Sequence, residues 1–342
     1  MRSRFRQQVS ADVMCLKRNE SSMKIVIPGS SGQVGSILAR AFIADGHEVV
    51  ILSRYPGNAP WKVVNWDAQS LGDWTSELET ADVLINLAGR NVNCRYHDAN
   101  RGLIMESRVR STQVIGEAIA QATQPPHLWL QASTATIYAH RFDAPNDDIT
   151  GMIGGEEAHA PERWRFSIDV AKAWEQAAQE AIVPNTRKVL LRSAMTMSPD
   201  QGGVFDVLLR LVRWGLGGKN GNGKQYVSWL HDQDFVRAIY WLIEHEAMEG
   251  VVNLASPNPV PNEEFMRTLR RAWGRRFGLP AAAWMLEVGA FFLRTETELI
   301  LKSRRVVPGR LQESGFEFSF PTWSAAAADL CARWRAGNAR AA

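Results

Sequence analysis

Cysteine is scarce in this chain: 342 residues contain three, Cys15, Cys94 and Cys331. They lie far apart and form no Cys-x-x-Cys, which excludes a zinc knuckle and a disulfide framework and suits a reducing cytoplasm. Long apolar runs are also missing. A bilayer crossing needs roughly 20 apolar residues, and the longest stretch, FGLPAAAWMLEVGAFFL, contains Pro280 and is broken by Glu287. No membrane span is expected; that stretch, with Trp284, Phe291 and Phe292, reads as a helix on a core or a contact with a second subunit. Nor does one sign of charge dominate. The first 22 residues hold five basic and two acidic side chains of the 39 and 36 in all, so everything after them is balanced. A nucleic-acid partner, which needs a basic face, is therefore not expected. The histidines and acids show no metal-ligand spacing, and no repeat or low-complexity linker occurs.

Residues 1–22 lack the apolar segment of a secretory signal. Met23 leads directly into an apolar run, so this segment is expected to be a disordered extension or an over-extended start; an organelle transit segment is the alternative. From Met23 onward, short apolar runs alternate with longer helical patterns. Strands are predicted at Lys24–Ile27, Glu48–Leu52, Lys62–Trp66, Val83–Leu87, Leu128–Gln131 and Lys188–Leu191. Helices are predicted at 34–45, 71–79, 99–122 and 163–182 between them. That alternation means βαβ units and a parallel sheet covered on both faces, an α/β doubly wound fold of Rossmann type. After Pro199 the texture changes to a helix, a glycine-rich loop, a helix at 232–246, a strand at Val251–Leu254 and further helices. The expected division is a dinucleotide-binding domain at 23–200, alternatively with strand 251–254 added to it, and a smaller, mostly helical substrate lobe at 201–342. Substrate would sit in the cleft between them.

The stretch KIVIPGSSGQVGSILARAF spaces Gly29, Gly32 and Gly35 three apart, between a strand and a helix. The first glycine permits a tight turn, the second close approach of backbone to a pyrophosphate, the third close packing of helix on sheet. The expected cradle comprises Gly29, Ser31, Gly32, Gln33, Val34 and Gly35. Pro28 removes one donor where the loop begins. The second strand ends in Ser53 and Arg54, where an acid would mark a free ribose 2′-hydroxyl. A basic residue there suits a 2′-phosphate, so NADP(H) is expected over NAD(H); a plain surface arginine is the alternative. Asp67, closing the third strand, is placed at the adenine amino group or, equally, as a loop cap. Leu87, Ala88 and Gly89, ending the fourth strand, leave room for the nicotinamide-side ribose.

Together these features resemble an extended short-chain dehydrogenase/reductase of the NAD-dependent epimerase/dehydratase family. QASTATIYA is similar to the segment carrying that family's catalytic Ser/Thr, and LLRSAMTMSP to the segment after the sixth strand. GLGGKNGNGKQYVSWLHDQDFVRAI, VVNLASPNPVPNEEF and RRVVPGRLQESGFEFSFP resemble the YfcH-like branch, which has its own C-terminal domain, here about 285–335. The resemblance implies NADP(H) and an oxidoreductase or epimerase acting on a small carbonyl or a sugar-nucleotide-like molecule.

One element of the family pattern is absent. Its members pair Tyr-x-x-x-Lys, the lysine lowering the phenol's pKa. Four residues after Tyr55, Tyr96, Tyr138, Tyr226 and Tyr240 stand Ala59, Asn100, Phe142, Leu230 and Glu244, so this chain has no such pair. In RWRFSIDVAKAWEQAAQEA, counting back from Glu175 puts Ala171 in the lysine place and Ser167 in the tyrosine place. Thr134 aligns with the catalytic Ser/Thr. The remaining candidates for the chemistry are Lys172, Arg108 and His231, the last with Asp234 near a helix start. A solvated lysine and a helix-capping cluster are the respective alternatives for Lys172 and His231. A protein that kept the cradle and lost the chemistry, an NADP(H) sensor or scaffold, is the competing function. A monomer or homodimer is expected.

Overall fold

The computed structural model describes residues 22–29, 32–55, 57, 59–157, 164–282 and 298–339. Ser31 and the stretch with Trp284, Phe291 and Phe292 lie outside them. Seven strands form one wholly parallel sheet in the order β10-β6-β5-β4-β1-β2-β3. They are β1 (Lys24–Pro28), β2 (Glu48–Ser53), β3 (Lys62–Asn65), β4 (Val83–Asn86), β5 (Leu128–Thr134), β6 (Arg187–Ser193) and β10 (Gly250–Leu254). The central strands are continuous apolar runs because both faces of the sheet are covered. The order reverses between β1 and β4, and a crevice opens there at the strands' C-terminal ends.

One face is covered by α1 (Gln33–Ala44) and α5 (Asp232–Glu244), in a core that includes Ile25, Ile27, Leu38, Phe42, Phe235 and Leu242. Helix α1 turns Ile37, Leu38 and Phe42 inward at helical spacing, and each such side chain contributes about 1.5–3 kcal/mol on burial. The other face packs against α2 (Asp98–Gln121) and α3 (Arg165–Glu180). Predicted helix 71–79 is instead a 3-10 segment at Asp73–Leu78, too short to sustain an α-helix between Gly72 and the start of β4.

The C-terminal lobe has its own core, in which α4 (Val204–Arg213), α6 (Asn262–Trp273) and α9 (Trp323–Ala339) enclose Phe205, Leu209, Trp229, Phe265, Leu269 and Leu330. Trp323 stacks on Phe265 at 4.0 Å between ring centres. Between lobe and sheet run two small pairings, β7 (Met195–Met197) with β9 (Trp229–His231) and β8 (Tyr226–Val227) with β11 (Val260–Pro261). Residues 298–318, beginning with α7 (Glu298–Leu301), return to the sheet domain. There Asn146 pairs with Val306 before α8 (Gly309–Glu313). None of the described helices is long and apolar enough to cross a membrane.

Candidate functional site

The glycine turn sits at the switch point. Gly29 has φ +82°, and a Cβ built on it would lie 2.4 Å from Ala88 Cα and 2.6 Å from Ala88 N. Only glycine lets the ends of β1 and β4 approach so closely. Pro28 costs little, because it is the last residue of β1 and its carbonyl still accepts from Leu87 N at 2.9 Å. Gly32 takes the N-cap position of α1 without a side-chain cap, and Gly35 is buried on that helix. Val34 packs partly into the core. The Gln33 side-chain amide nitrogen is buried with no hydrogen-bond partner among the described residues and crowds Gly203, where a Cβ would meet it at 2.2 Å.

Beside this turn lies a cavity of about 180 Å³ whose walls include Gly29, Ser53, Arg54, Asp67, Ala88 and Gly89. Ser53 Oγ closes a local turn by accepting from Tyr55 N at 3.2 Å, and the Arg54 guanidinium lies 5.8 Å from the Tyr55 ring centre. Asp67 is spoken for as a loop cap: it accepts from Gln69 N, Ser70 N and Ser70 Oγ. Burial pulls its carboxyl up slightly, but those hydrogen bonds hold it below its ordinary value. At the end of β4, the fully buried Asn86 donates to Gln131 at 2.9 Å and accepts from Ala88 N at 3.0 Å, which fixes Leu87, Ala88 and Gly89.

The expected catalytic residues do not converge. Thr134 ends β5, where its hydroxyl oxygen accepts from Thr136 N at 3.1 Å and starts the 3-10 turn Ala135–Ile137. Arg108 leans across Gly89, whose Cβ would lie 3.1 Å from the guanidinium carbon, and stacks 5.0 Å over Trp174. Burial pulls its pKa down to about 10. Lys172 is exposed, about 140° around α3 from Ser167. It lines a separate open groove of about 630 Å³ with Gln176 and Gln179. It therefore matches the solvated alternative and does not share the face that carries Ser167.

His231 is not in the cleft. It is fully buried, caps α5 by accepting from Gln233 N on Nδ1 at 3.2 Å, and meets Asp329 of α9 with Nε2 at 2.9 Å. Phe320 stacks on the ring at 3.8 Å, while Arg333 binds Asp232 through two bonds of 2.7 Å. Burial beneath the Phe320 ring and beside Asp329, which the local sequence does not disclose, makes the imidazole a clamp on α9. Asp234 likewise serves structure, accepting from Ser319 N and Phe320 N at 2.8 Å each.

Burial pushes the His231 pKa below its ordinary 6.5, against the pull of Asp232 and Asp329. The geometry agrees: protonating Nδ1 would abolish the cap. The unfolded chain protonates this ring near 6.5 and the fold only at lower pH. Its stabilisation is thus complete above that pH and declines as the pH falls. His231→Gln is expected to flatten the fall in melting temperature between about pH 7 and pH 5. His140, whose pKa burial also lowers, should contribute to the same fall by the same linkage, so His140→Gln is compared singly and together with His231→Gln. An unaltered slope in the His231 variant would refute the clamp.

A cluster that sequence reading passed over lies where the tyrosine was sought. Ser167 Oγ on α3 donates to Glu298 Oε2 of α7 at 2.6 Å. Buried Lys302 reaches Glu298 Oε1 at 3.6 Å and donates to Thr136 O at 2.8 Å. Arg304 Nε donates to Thr136 Oγ1 at 3.2 Å and its Nη1 to Glu298 O at 3.3 Å. Burial and the neighbouring Arg304 push Lys302 down to about 8. The only sequence signal was the density of charge in ETELILKSRR, a stretch with too many charges for an ordinary core helix.

A family model described as NAD dependent epimerase/dehydratase matches residues 25–255. The chain belongs to this family. Residues 281–330 match a domain of unknown function, DUF1731, which supplies Glu298, Lys302 and Arg304. Among relatives of this epimerase-family chain, the human epimerase family protein SDR39U1 is 30% identical over 315 residues, covering 91% of this chain and 100% of that protein. Epimerase family protein ML0860 of Mycobacterium leprae is 31% identical, covering 87% of this chain and 92% of its own length. The crystal structure of human SDR39U1 (isoform 2) with NADPH superposes with a TM-score of 0.79 at 29% identity, covering 91% of this chain and 99% of that one.

Proposed function

We propose that this protein binds NADP(H) and interconverts a carbonyl and an alcohol, as an oxidoreductase or epimerase, on a small or sugar-nucleotide-like substrate. The observation that carries the reading is the contact of Gly29 with Ala88, a cradle that any Cβ would fill, beside a cavity walled by Ser53 and Arg54. The unpartnered buried amide of Gln33 at the same turn fits a phosphate or ribose oxygen. Gly29, Gly32 and Gln33 would hold the pyrophosphate, Arg54 with Ser53 the 2′-phosphate, and Leu87 to Gly89 the ribose on the nicotinamide side. Bound there, the nicotinamide supplies or takes up a hydride. The chain's own part is to exclude water, hold the substrate oxygen near Thr134 and set its protonation. Support comes also from the human relative crystallised with NADPH.

The deciding experiment is titration of the purified protein with NADPH and with NADH, followed by a panel of carbonyl compounds. Tighter binding of NADPH and its slow oxidation are expected. Arg54→Ala should cost NADPH about tenfold in affinity, as one exposed charge-assisted contact does, and leave NADH unchanged. Equal loss for both cofactors would assign Arg54 no part in choosing between them. A second reading, the NADP(H) sensor, is favoured by one observation: the helix places that carry the family's tyrosine and lysine hold Ser167 and Ala171. Tight binding with no oxidation by any carbonyl would select it. The compartment we infer is the cytoplasm, with a monomer or homodimer and no nucleic-acid or membrane partner; sedimentation distinguishes the two assembly states.

A further inference from the structure

We propose that Lys302 and Arg304 are positioning residues for Thr134, aiming its hydroxyl at the substrate oxygen through their shared grip on Thr136. The inference rests on the carbonyl–alcohol reading above. Thr134 ends β5, which runs parallel beside β4, and the residues that follow β4, Ala88 and Gly89, wall the cavity. Of the two hydroxyls at this strand end, that of Ser133 is committed to Glu175. Thr134 is half-buried, and its oxygen accepts from Thr136 N at 3.1 Å. One lone pair is thereby fixed, and the O–H is left to donate to a substrate. Its direction follows the Thr136 amide, so whatever holds Thr136 also sets Thr134.

Two buried cations converge on that one residue. Lys302 Nζ donates to Thr136 O at 2.8 Å, and Arg304 Nε donates to Thr136 Oγ1 at 3.2 Å. The first holds the peptide that follows Thr136, the second its side-chain rotamer. Lys302 and Arg304 are only 2% and 9% exposed. Burying an ammonium beside a guanidinium is costly, and an apolar helix end would cover the same turn without that cost. The placement points to orientation rather than to stability.

The cations are pinned in turn. Glu298 Oε1 lies 3.6 Å from Lys302 Nζ, Arg304 Nη1 donates to Glu298 O at 3.3 Å, and Ser167 Oγ holds Glu298 Oε2 at 2.6 Å. Ser303, between the two cations, donates from N to His140 Nδ1 at 2.8 Å and from Oγ to Arg141 O at 3.0 Å. On the lobe side, Arg304 N donates to Tyr226 O at 2.9 Å and Ser228 Oγ to Arg304 O at 2.7 Å. This short segment is anchored at once to the chain beyond β5 and to the lobe. The DUF1731 region thus belongs to the site, acting through Thr136 and not on the substrate itself.

A double-mutant cycle decides it. Thr134→Val should lower kcat for NADPH oxidation with the best carbonyl of the panel by about 10²–10³-fold, as loss of a positioned donor does. Lys302→Met and Thr136→Val should each lower kcat by about tenfold, the worth of one charge-assisted hydrogen bond. The KM of the carbonyl and the binding of NADPH should stay close to wild type, and Thr136→Ser should keep most of the activity. In the Thr134→Val background neither change should lower kcat further. Thr136→Val leaves both cations in place, so its arm of the cycle stands even where Lys302→Met does not fold. Amide hydrogen exchange reads the same contact without cofactor or turnover. Either change should speed exchange at residues 134–137 while the rest of β5 stays protected. Losses that multiply in the double variants, or exchange that stays unaltered, would overturn the proposal and leave the carbonyl reading standing. Wild-type protein that binds NADPH but oxidises it with nothing in the panel would overturn the reading itself, and this role with it.

Discussion

Gly29→Ala is expected to abolish NADPH binding within the accessible concentration range and to lower stability by several kcal/mol. Two independent penalties fall on the same atom. At φ +82° any Cβ strains the backbone, by about 1–2 kcal/mol. This Cβ would also lie 2.4 Å from Ala88 Cα, inside the backbone of the next strand, where no flexible side chain can move aside. Relief requires β1 and β4 to part at the ends that wall the cavity, so cofactor and fold should suffer together. Thermal unfolding and the NADPH titration check this on one preparation. Gly32→Ala is the internal comparison, since a Cβ there meets nothing within 4 Å; it should be far better tolerated in stability. Normal melting and normal binding in Gly29→Ala would mean that the two strand ends do not touch.

The second large effect is Glu175→Ala. Arg192 on β6 and Glu175 on α3 are nearly fully buried and joined by two hydrogen bonds of 2.8 Å. Glu175 also accepts from Ser133 Oγ, while Arg192 donates to Tyr138 Oη at 3.0 Å, which in turn donates to Asn253 at 2.8 Å. Deleting the carboxylate strands a guanidinium in the interior, and breaking a buried pair in this way costs about 3–5 kcal/mol. Replacing both partners together, Glu175→Leu with Arg192→Leu, should be less damaging than the sum of the single changes, because no charge is then left unmatched. Chemical denaturation of the four proteins gives the cycle. Additive losses would show that the pair is not one unit.

How much of this was legible in the sequence follows from the range over which each feature is determined. The parallel strands were, because burial on both faces writes itself as unbroken apolar runs such as VVIL and VLIN. So was the glycine turn, a local device confined to one strand–turn–helix. Asp67 could be read either way, and DAQS turned out to hold its own cap through Gln69 and Ser70. His231 was misassigned because its partner Asp329 is about a hundred residues away, and only that packing reveals a clamp. The Ser167, Glu298 and Lys302 cluster is the strongest case. Ser167 lies far along the chain from the other two, and none carries a motif. Counting back from Glu175 located the place in the fold, but not the carboxylate and ammonium packed behind it.

The position of β10 has a mechanical consequence. The chain leaves the sheet after β6, builds most of the lobe, and comes back to lie parallel to β6 with Leu254 beside Ser193. It leaves again through Val260 and returns a second time where Val307 N donates to Asn146 O at 3.0 Å. The lobe is stitched to the sheet at several seams, so it has no single hinge about which to swing like a door. Widening the cleft as a rigid-body motion would have to bend every seam at once. Ligand entry and exit then fall to side chains and short loops at the rim, over a frame that stays still.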